Sequence, residues 1–293
     1  MATQPFIVER AADFIWQNAR LLDRQRFARL FRGGPSAPVV AALRAYQNGD
    51  GGFGNALEPD KRCPDSQPVD VEAALRVLDD LDVETAWRDP LVERVIDFLA
   101  SITTPDGGIP FVLPSVRAYP RAPWWEADDN PPASPNPTAA IVGLLWKHGV
   151  RHPWVERATD YCWRVISKGS TEEVHELAAI LTFLENAPDR PRAEREFDRI
   201  AERLFAARLV ELDPEATGYV KRPLDWAPTP RSWCRRLFDD QVIAAHLDAL
   251  AACQQPDGGW TISWPPVSPL VELEWRGYVT VDALKTLRAY GSL

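Results

Sequence analysis

The sequence is short of several things, and each shortage closes off a class of protein. Cysteine occurs four times, as Cys63, Cys162, Cys234 and Cys253, far apart and with no CxxC spacing. That pattern excludes a disulfide frame or a zinc knuckle and reads as reduced thiols in a cytoplasmic protein. No window of 18 apolar residues occurs, so no transmembrane span is expected. A basic run is missing too: 33 Lys and Arg face 42 Asp and Glu, for a net charge of −9. Nucleic acid and anionic membrane are therefore not expected as main partners. The opening "MATQPFIVERAADF" carries an early acid and no apolar stretch, so no signal peptide is expected. Walker A, dinucleotide, HExxH and Gly-x-Ser-x-Gly patterns are absent. So is any convincing run of alternating strand residues, which leaves an all-α chain.

What is present is an ordinary globular balance, 45 % hydrophobic and 26 % charged over 293 residues, with an excess of 12 Trp and 27 Pro. A chain of this size buries roughly 75 % of its unfolded surface, enough for a large core or a central cavity.

One turn is written three times: "QNGDGGF" at 47–53, "TTPDGGI" at 103–109 and "QQPDGGW" at 254–260. Aligned on Phe53, Ile109 and Trp260, each copy has a leucine ten residues upstream (Leu43, Leu99, Leu250) and an aspartate three upstream (Asp50, Asp106, Asp257). A degenerate copy ends at Tyr219 and a weaker one near Gly169. Spacings of roughly 40–60 residues belong to arrays of helical hairpins. Amphipathic helices are expected before the turns, over 36–47, 90–101, 153–167, 192–210 and 239–253. More uniformly apolar helices are expected after them, over 66–78, 134–146, 170–184, briefly at 231–238, and over 276–290. The stretch 6–31 supplies a further pair. A helix apolar on most sides is buried on most sides, so the pattern predicts an inner and an outer layer.

"AALRAYQNGDGGF" and "DALAACQQPDGGW" resemble the QW-type repeats of the squalene–hopene cyclase and protein prenyltransferase β-subunit superfamily. Gln47 with Phe53 and Gln254 with Trp260 match; Thr103 with Ile109 departs. The resemblance implies a single all-α (α/α)5–6 barrel, or toroid, over 1–293. It also implies an isomerase or lyase of the terpene cyclase type, acting on an isoprenoid without a cofactor. The Asp-x-Asp-Asp motif of the acid-initiated cyclases is missing; "DDLD" at 79–82 falls at the far end of an inner helix and reads as a solvated helix end. The Asp, Cys and His that hold zinc in the prenyltransferases have no matching trio on inner helices, so no metal is expected.

Function is expected in the loops that lead into the inner helices. In "GNALEPDKRCPDSQP", Glu58, Asp60 and Asp65 lie close together, and Asp70 and Glu72 follow on the next helix. Neighbouring carboxylates in a dry cavity cannot all ionise easily, so one can stay protonated as an acid. The plainer reading has Asp65 and Ser66 capping the helix, with Lys61 and Arg62 pairing at the surface. The long loop 110–136 adds Tyr119, Arg121, Trp124 and Trp125, as a lid, a lining or a plug. Trp226, Trp264, Trp275 and Arg276 sit in the later loops, and His175 begins an inner helix. Aromatic walls with a few acids suit a carbocationic polyene or a sugar cleaved by a carboxylate pair. They equally suit an apolar ligand or partner bound without chemistry. Substrate identity, oligomeric state and any metal accompanying a diphosphate stay open.

Overall fold

The computed structural model describes residues 4–81, 84–169 and 171–293. In chain order the helices are α1 (Gln4–Asn18), α2 (Leu21–Phe31), α3 (Ala37–Arg44), α4 (Pro68–Asp79), α5 (Glu84–Trp87), α6 (Pro90–Ser101) and α7 (Pro135–Lys147). They continue with α8 (Pro153–Lys168), α9 (Val174–Asn186), α10 (Arg190–Ala206), α11 (Pro223–Trp226), α12 (Asp240–Ala252) and α13 (Pro269–Ala289). Two 3-10 turns, Pro114–Ala118 and Trp233–Leu237, complete the set. Among the described residues no strand forms; pairing is limited to isolated bridges. The proline excess has a plain use. Proline stands in the opening turn of α4, α6, α7, α8, α11 and α13, where its missing N–H is no loss and its φ is already helical.

The chain divides into two compact units, Ser36–Ile200 and the segments up to Pro35 and from Ala201 to Leu293. In the first, α7 packs on α4, α8 and α9. Residues 137–145 of α7 are buried without a break, as expected of an inner helix. On α8 the buried residues are Trp154, Val155, Ala158, Thr159, Tyr161, Cys162, Trp163 and Ile166, while Glu156, Arg157, Asp160 and Arg164 are exposed, as expected of an outer helix.

The repeated turn is a socket for the next outer helix. After α3, the Gln47 amide donates to its own turn at Gly51 O (2.9 Å) and to Leu91 O of α6 (3.1 Å). Arg94 of α6 reaches back to Asn48 O at 2.8 Å, and Phe98 lies against Gly52. The last turn repeats this in the other unit: Gln254 donates to Gly258 O and to Ile7 O of α1, both at 2.9 Å. Arg10 of α1 donates to Gln255 O, and Phe14 lies against Gly259. The chain's final turn is thereby fastened to its first helix. The second turn reaches the same end without glutamine. Thr103 accepts from the indole N–H of Trp154 on α8 at 2.7 Å, and Tyr161 lies against Gly108. In each complete copy the acid or its backbone is also used: Asp50 and Asp257 accept from Gly52 N (3.0 Å) and Gly259 N (3.1 Å). Arg164 donates to Asp106 O at 2.5 Å. The degenerate copy keeps the turn, with Gly218 at φ +90°, but no heavy atom approaches where its Cβ would be.

Two local expectations change. The N-cap of α4 is Gln67 and makes no side-chain cap bond; Ser66 instead donates to Asp50 at 2.7 Å. Of "DDLD", Asp82 lies outside the described residues, and Asp79 is no loose helix end. It accepts from Lys147 Nζ at 2.8 Å and pairs with His148 Nε2 at 2.6 Å, tying α4 to α7, while His148 stacks on Trp87 at 3.9 Å. Burial works to raise the Asp79 pKa, but His148 and Lys147 outweigh it and hold it below the ordinary value. A lowered folded-state pKa stabilises above the unfolded value and is lost as pH falls through the folded one. Asp79→Asn is therefore expected to lower stability by up to about 1 kcal/mol at pH 6. At pH 3 and below the gap from wild type should shrink; a thermal melt series that shows a constant gap would contradict this.

Candidate functional site

The carboxylates of the first loop lie in the Ser36–Ile200 unit, and their burial differs. Asp60 is 2 % exposed, Glu58 is half-buried, and Asp65 is exposed. Asp65 therefore stands apart from them. Asp70, in the first turn of α4, is fully buried. Its Oδ1 accepts from the Glu58 backbone N–H at 2.7 Å and from Lys61 Nζ at 2.8 Å. Lys61 is fully buried as well, which overturns its expected place at the surface. A lysine and an aspartate with no exposure between them are tolerable only as a pair, since an isolated charge there loses its hydration.

The loop after the second turn closes over this group. Ala122 N donates to Asp60 O and Arg62 N to Pro120 O, both at 2.8 Å, and Lys61 bridges to Arg121. Gln67 holds the same loop from α4: its amide donates to Ser115 Oγ at 2.9 Å and its Oε1 accepts from Leu113 N at 2.8 Å. Apolar contact does the rest. Cys63, Val69, Val112, Val116, Ala122 and Trp125 form a buried cluster, with Phe111 and Tyr119 packed on it. Residues 110–125 are thus a fastened strap rather than a loose flap. Burial pushes the Cys63 thiol up, so it is no nucleophile.

The two adjacent tryptophans of the strap part ways. Trp125 is buried and Trp124 is 43 % exposed. The Lys61 ammonium lies over the Trp125 ring at 5.0 Å, and Phe111 stacks on that ring at 5.1 Å. The faces of Trp125 are accordingly occupied by the protein itself. Arg121 is engaged with Trp125 O (2.8 Å) and Glu126 (2.9 Å). His175 is exposed, its backbone N–H held by the Glu173 cap of α9 at 3.0 Å.

The remaining candidates lie in the other unit. Tyr219, Trp264, Trp275 and Tyr278 form a staircase of edge-to-face rings at 5.9, 5.1 and 5.7 Å. Arg26, 2 % exposed, caps it with its guanidinium 4.7 Å from the Tyr278 ring. Arg26 is itself bound to Asp23 and to Asp282, the latter at 2.9 Å. Trp226 is buried at the end of α11. Arg276 forms a two-pronged pair with Asp257 at 2.7 and 2.8 Å and lies over Phe14, so it serves the last turn. Burial works to raise the Asp257 pKa, and the Arg276 pair reverses that and lowers it. Among the described residues no three His, Cys, Asp or Glu side chains group as metal ligands do. None of the helices is long and apolar enough to cross a membrane.

Sequence reasoning missed Lys61 and Tyr278. Tyr278 had a signal, three residues after Trp275 on one helical face. Asp70 had one too, as an acid in the opening turn of an otherwise largely apolar helix, and an acid buried there requires a cation. The cation was nine residues away, among prolines that gave no periodicity to read.

Chemically, the loop holds one carboxyl, Asp60, in a water-poor place, with the buried Lys61–Asp70 pair starting at the next residue. That arrangement suits storage and delivery of a proton better than nucleophilic attack. No family model and no curated protein matches the sequence. In structure the chain is similar to a variant of the type II terpene cyclase MstE from Scytonema, determined in complex with its substrate geranylgeranyl dihydroxybenzoate. The TM-score is 0.52 at 15 % identity, over 99 % of this chain and 97 % of that one. The chain therefore has the terpene cyclase-like, all-α fold of the α/α toroid class.

Proposed function

We propose that the protein is a type II-like terpene cyclase, in which Asp60 protonates an alkene or epoxide of an isoprenoid and so starts a carbocation cyclisation. The observation that carries this reading is the burial of Asp60, at 2 % exposure, in the loop whose next residue, Lys61, pairs with Asp70. Desolvation favours the neutral acid. Asp70 is the poorer donor, because its Oδ1 already accepts from the Lys61 ammonium. In the first step the alkene's electron pair takes the Asp60 proton, a C–H bond forms, and the cation develops on the neighbouring carbon. A later proton loss or water capture ends the sequence. Aromatic faces stabilise such cations.

The likeness to MstE over nearly the whole of both chains supports taking residues 1–293 as one catalytic domain. Cysteines left as thiols, three of them buried, agree with a cytoplasmic location. The reading is tested by incubating the purified protein with squalene, with geranyl, farnesyl and geranylgeranyl diphosphates, and with geranylgeranyl dihydroxybenzoate, followed by product analysis. Cyclised product from at least one of them is the expected result. Tight binding of an isoprenoid without turnover would instead favour a barrel that only carries its ligand.

A further inference from the structure

We propose that the strap, residues 110–125, is a gate over the first loop, held shut from the head of α4 by Gln67 and by the Lys61–Asp70 pair. Two clasps hold it, and both start at the opening of that helix. In the first, the Gln67 amide donates to Ser115 Oγ at 2.9 Å and its Oε1 accepts from Leu113 N at 2.8 Å. In the second, Asp70 Oδ1 accepts from Lys61 Nζ at 2.8 Å, and Lys61 in turn carries the strap. Its ammonium lies 5.0 Å from the centre of the Trp125 ring, and its backbone bridges to Arg121. The residues on either side hold the same stretch, by Ala122 N to Asp60 O and Arg62 N to Pro120 O, both 2.8 Å. Lys61 is thus the point where loop, helix and strap are joined.

The shut state carries costs of its own. Lys61 and Asp70 both have 0 % side-chain exposure, and a buried pair returns little net stability because each ion has lost its hydration. The Trp125 indole N–H is buried and meets no acceptor among the described residues, a further penalty on closure. Segments closed at such cost open locally, without the rest of the unit unfolding. Removing one partner of the pair acts more strongly. The charge left behind must reach water, and Lys61 can reach it only by giving up its bridge to the strap. The covered residue supplies a readout. Cys63 has 0 % exposure and shares a cluster with Val112, Val116, Ala122 and Trp125 of the strap. Cys162 is buried in the same unit, on α8, and Cys253 is exposed.

The experiment is timed alkylation of the full chain with iodoacetamide, read thiol by thiol by mass spectrometry and scaled to the same thiols in urea. Cys253 reports that the reagent is active, and Cys162 reports unfolding of the unit. In wild type, Cys63 should label at least roughly tenfold faster than Cys162, because the gate opens alone. Asp70→Asn should raise Cys63 labelling by about 100-fold or more while Cys162 stays slow. Ser115→Ala loosens only the Gln67 clasp and should raise Cys63 labelling by roughly 2- to 10-fold. Cys63 and Cys162 labelling at one rate would mean that the strap opens only when the unit unfolds, and the proposal is overturned. Cys63 rates in both variants equal to wild type overturn it as well. Should Asp70→Asn fail to fold, wild type and Ser115→Ala decide. The gate does not rest on the acid role of Asp60: failure of that role in the turnover assays leaves the labelling prediction in place.

Discussion

Gly258→Ala is expected to lower stability by roughly 3 kcal/mol or more, combining backbone strain with overpacking. That corresponds to a drop in Tm on the order of 5–10 °C for a chain of this length. Gly258 has φ +93°, and a Cβ there would lie 2.0 Å from Arg10 O of α1. The neighbour is backbone, so no rotamer change relieves the collision. Gly51 is its counterpart in the other unit, with φ +92° and 2.2 Å to Arg94 O, and Gly51→Ala should behave alike. Gly218 is the control. Its φ is +90°, yet nothing stands within 4 Å of the added carbon, so Gly218→Ala carries only the backbone strain, about 1–3 kcal/mol. Thermal melts of the three variants separate the terms. If Gly258→Ala and Gly218→Ala melt together, the turn is a local bend and not a socket.

That comparison also explains which parts of the fold were legible in the sequence. Asp-Gly-Gly was readable because the constraint is local: one glycine takes positive φ, the next makes room for a ring, and the acid bonds the backbone two residues on. The helices were readable from their spacing, with α6 at Pro90–Ser101 and α8 at Pro153–Lys168 against expectations of 90–101 and 153–167. What the turn grips was not readable. Arg10 with Phe14, Arg94 with Phe98, and Arg157 with Tyr161 contact the three turns from residues four apart. Their sequence distance from the turns ranges from tens of residues to nearly the whole chain.

The site was less legible for the same reason. Acid density picked out the right loop but could not rank Glu58, Asp60 and Asp65, since ranking needs burial. Prolines 59 and 64 gave no period from which to judge which side chains face inward. The expectation that Lys61 sits in solvent followed from the usual behaviour of lysine. It failed because Asp70, buried in the first turn of α4, required a cation. Trp124 and Trp125 looked equivalent as letters. Only the cluster around Cys63 and Val116 distinguishes the buried ring from the exposed one.

Asp60→Asn is expected to reduce kcat by about 10²–10⁴-fold while leaving the fold intact, the usual range for removing a general acid. Asparagine has nearly the shape of aspartate, and the backbone bond from Ala122 N to Asp60 O does not involve the side chain. An amide offers no proton acidic enough to reach an alkene, so the first C–H bond cannot form and every later product is lost together. The pattern across the three acids is the sharper test. Glu58 is half-buried and touches Asp70 through its backbone N–H, so Glu58→Gln should cost turnover only modestly. Asp65 is exposed, outside any dry pocket that could press an alkene against it; Asp65→Asn should cost less still. Rates for the three variants on whichever isoprenoid is turned over, with melting temperatures alongside, give the ranking. A dominant loss at Asp65, or equal small losses at all three, would place the acid elsewhere, because only a buried carboxyl can hold its proton at pH 7 while a hydrocarbon chain lies against it.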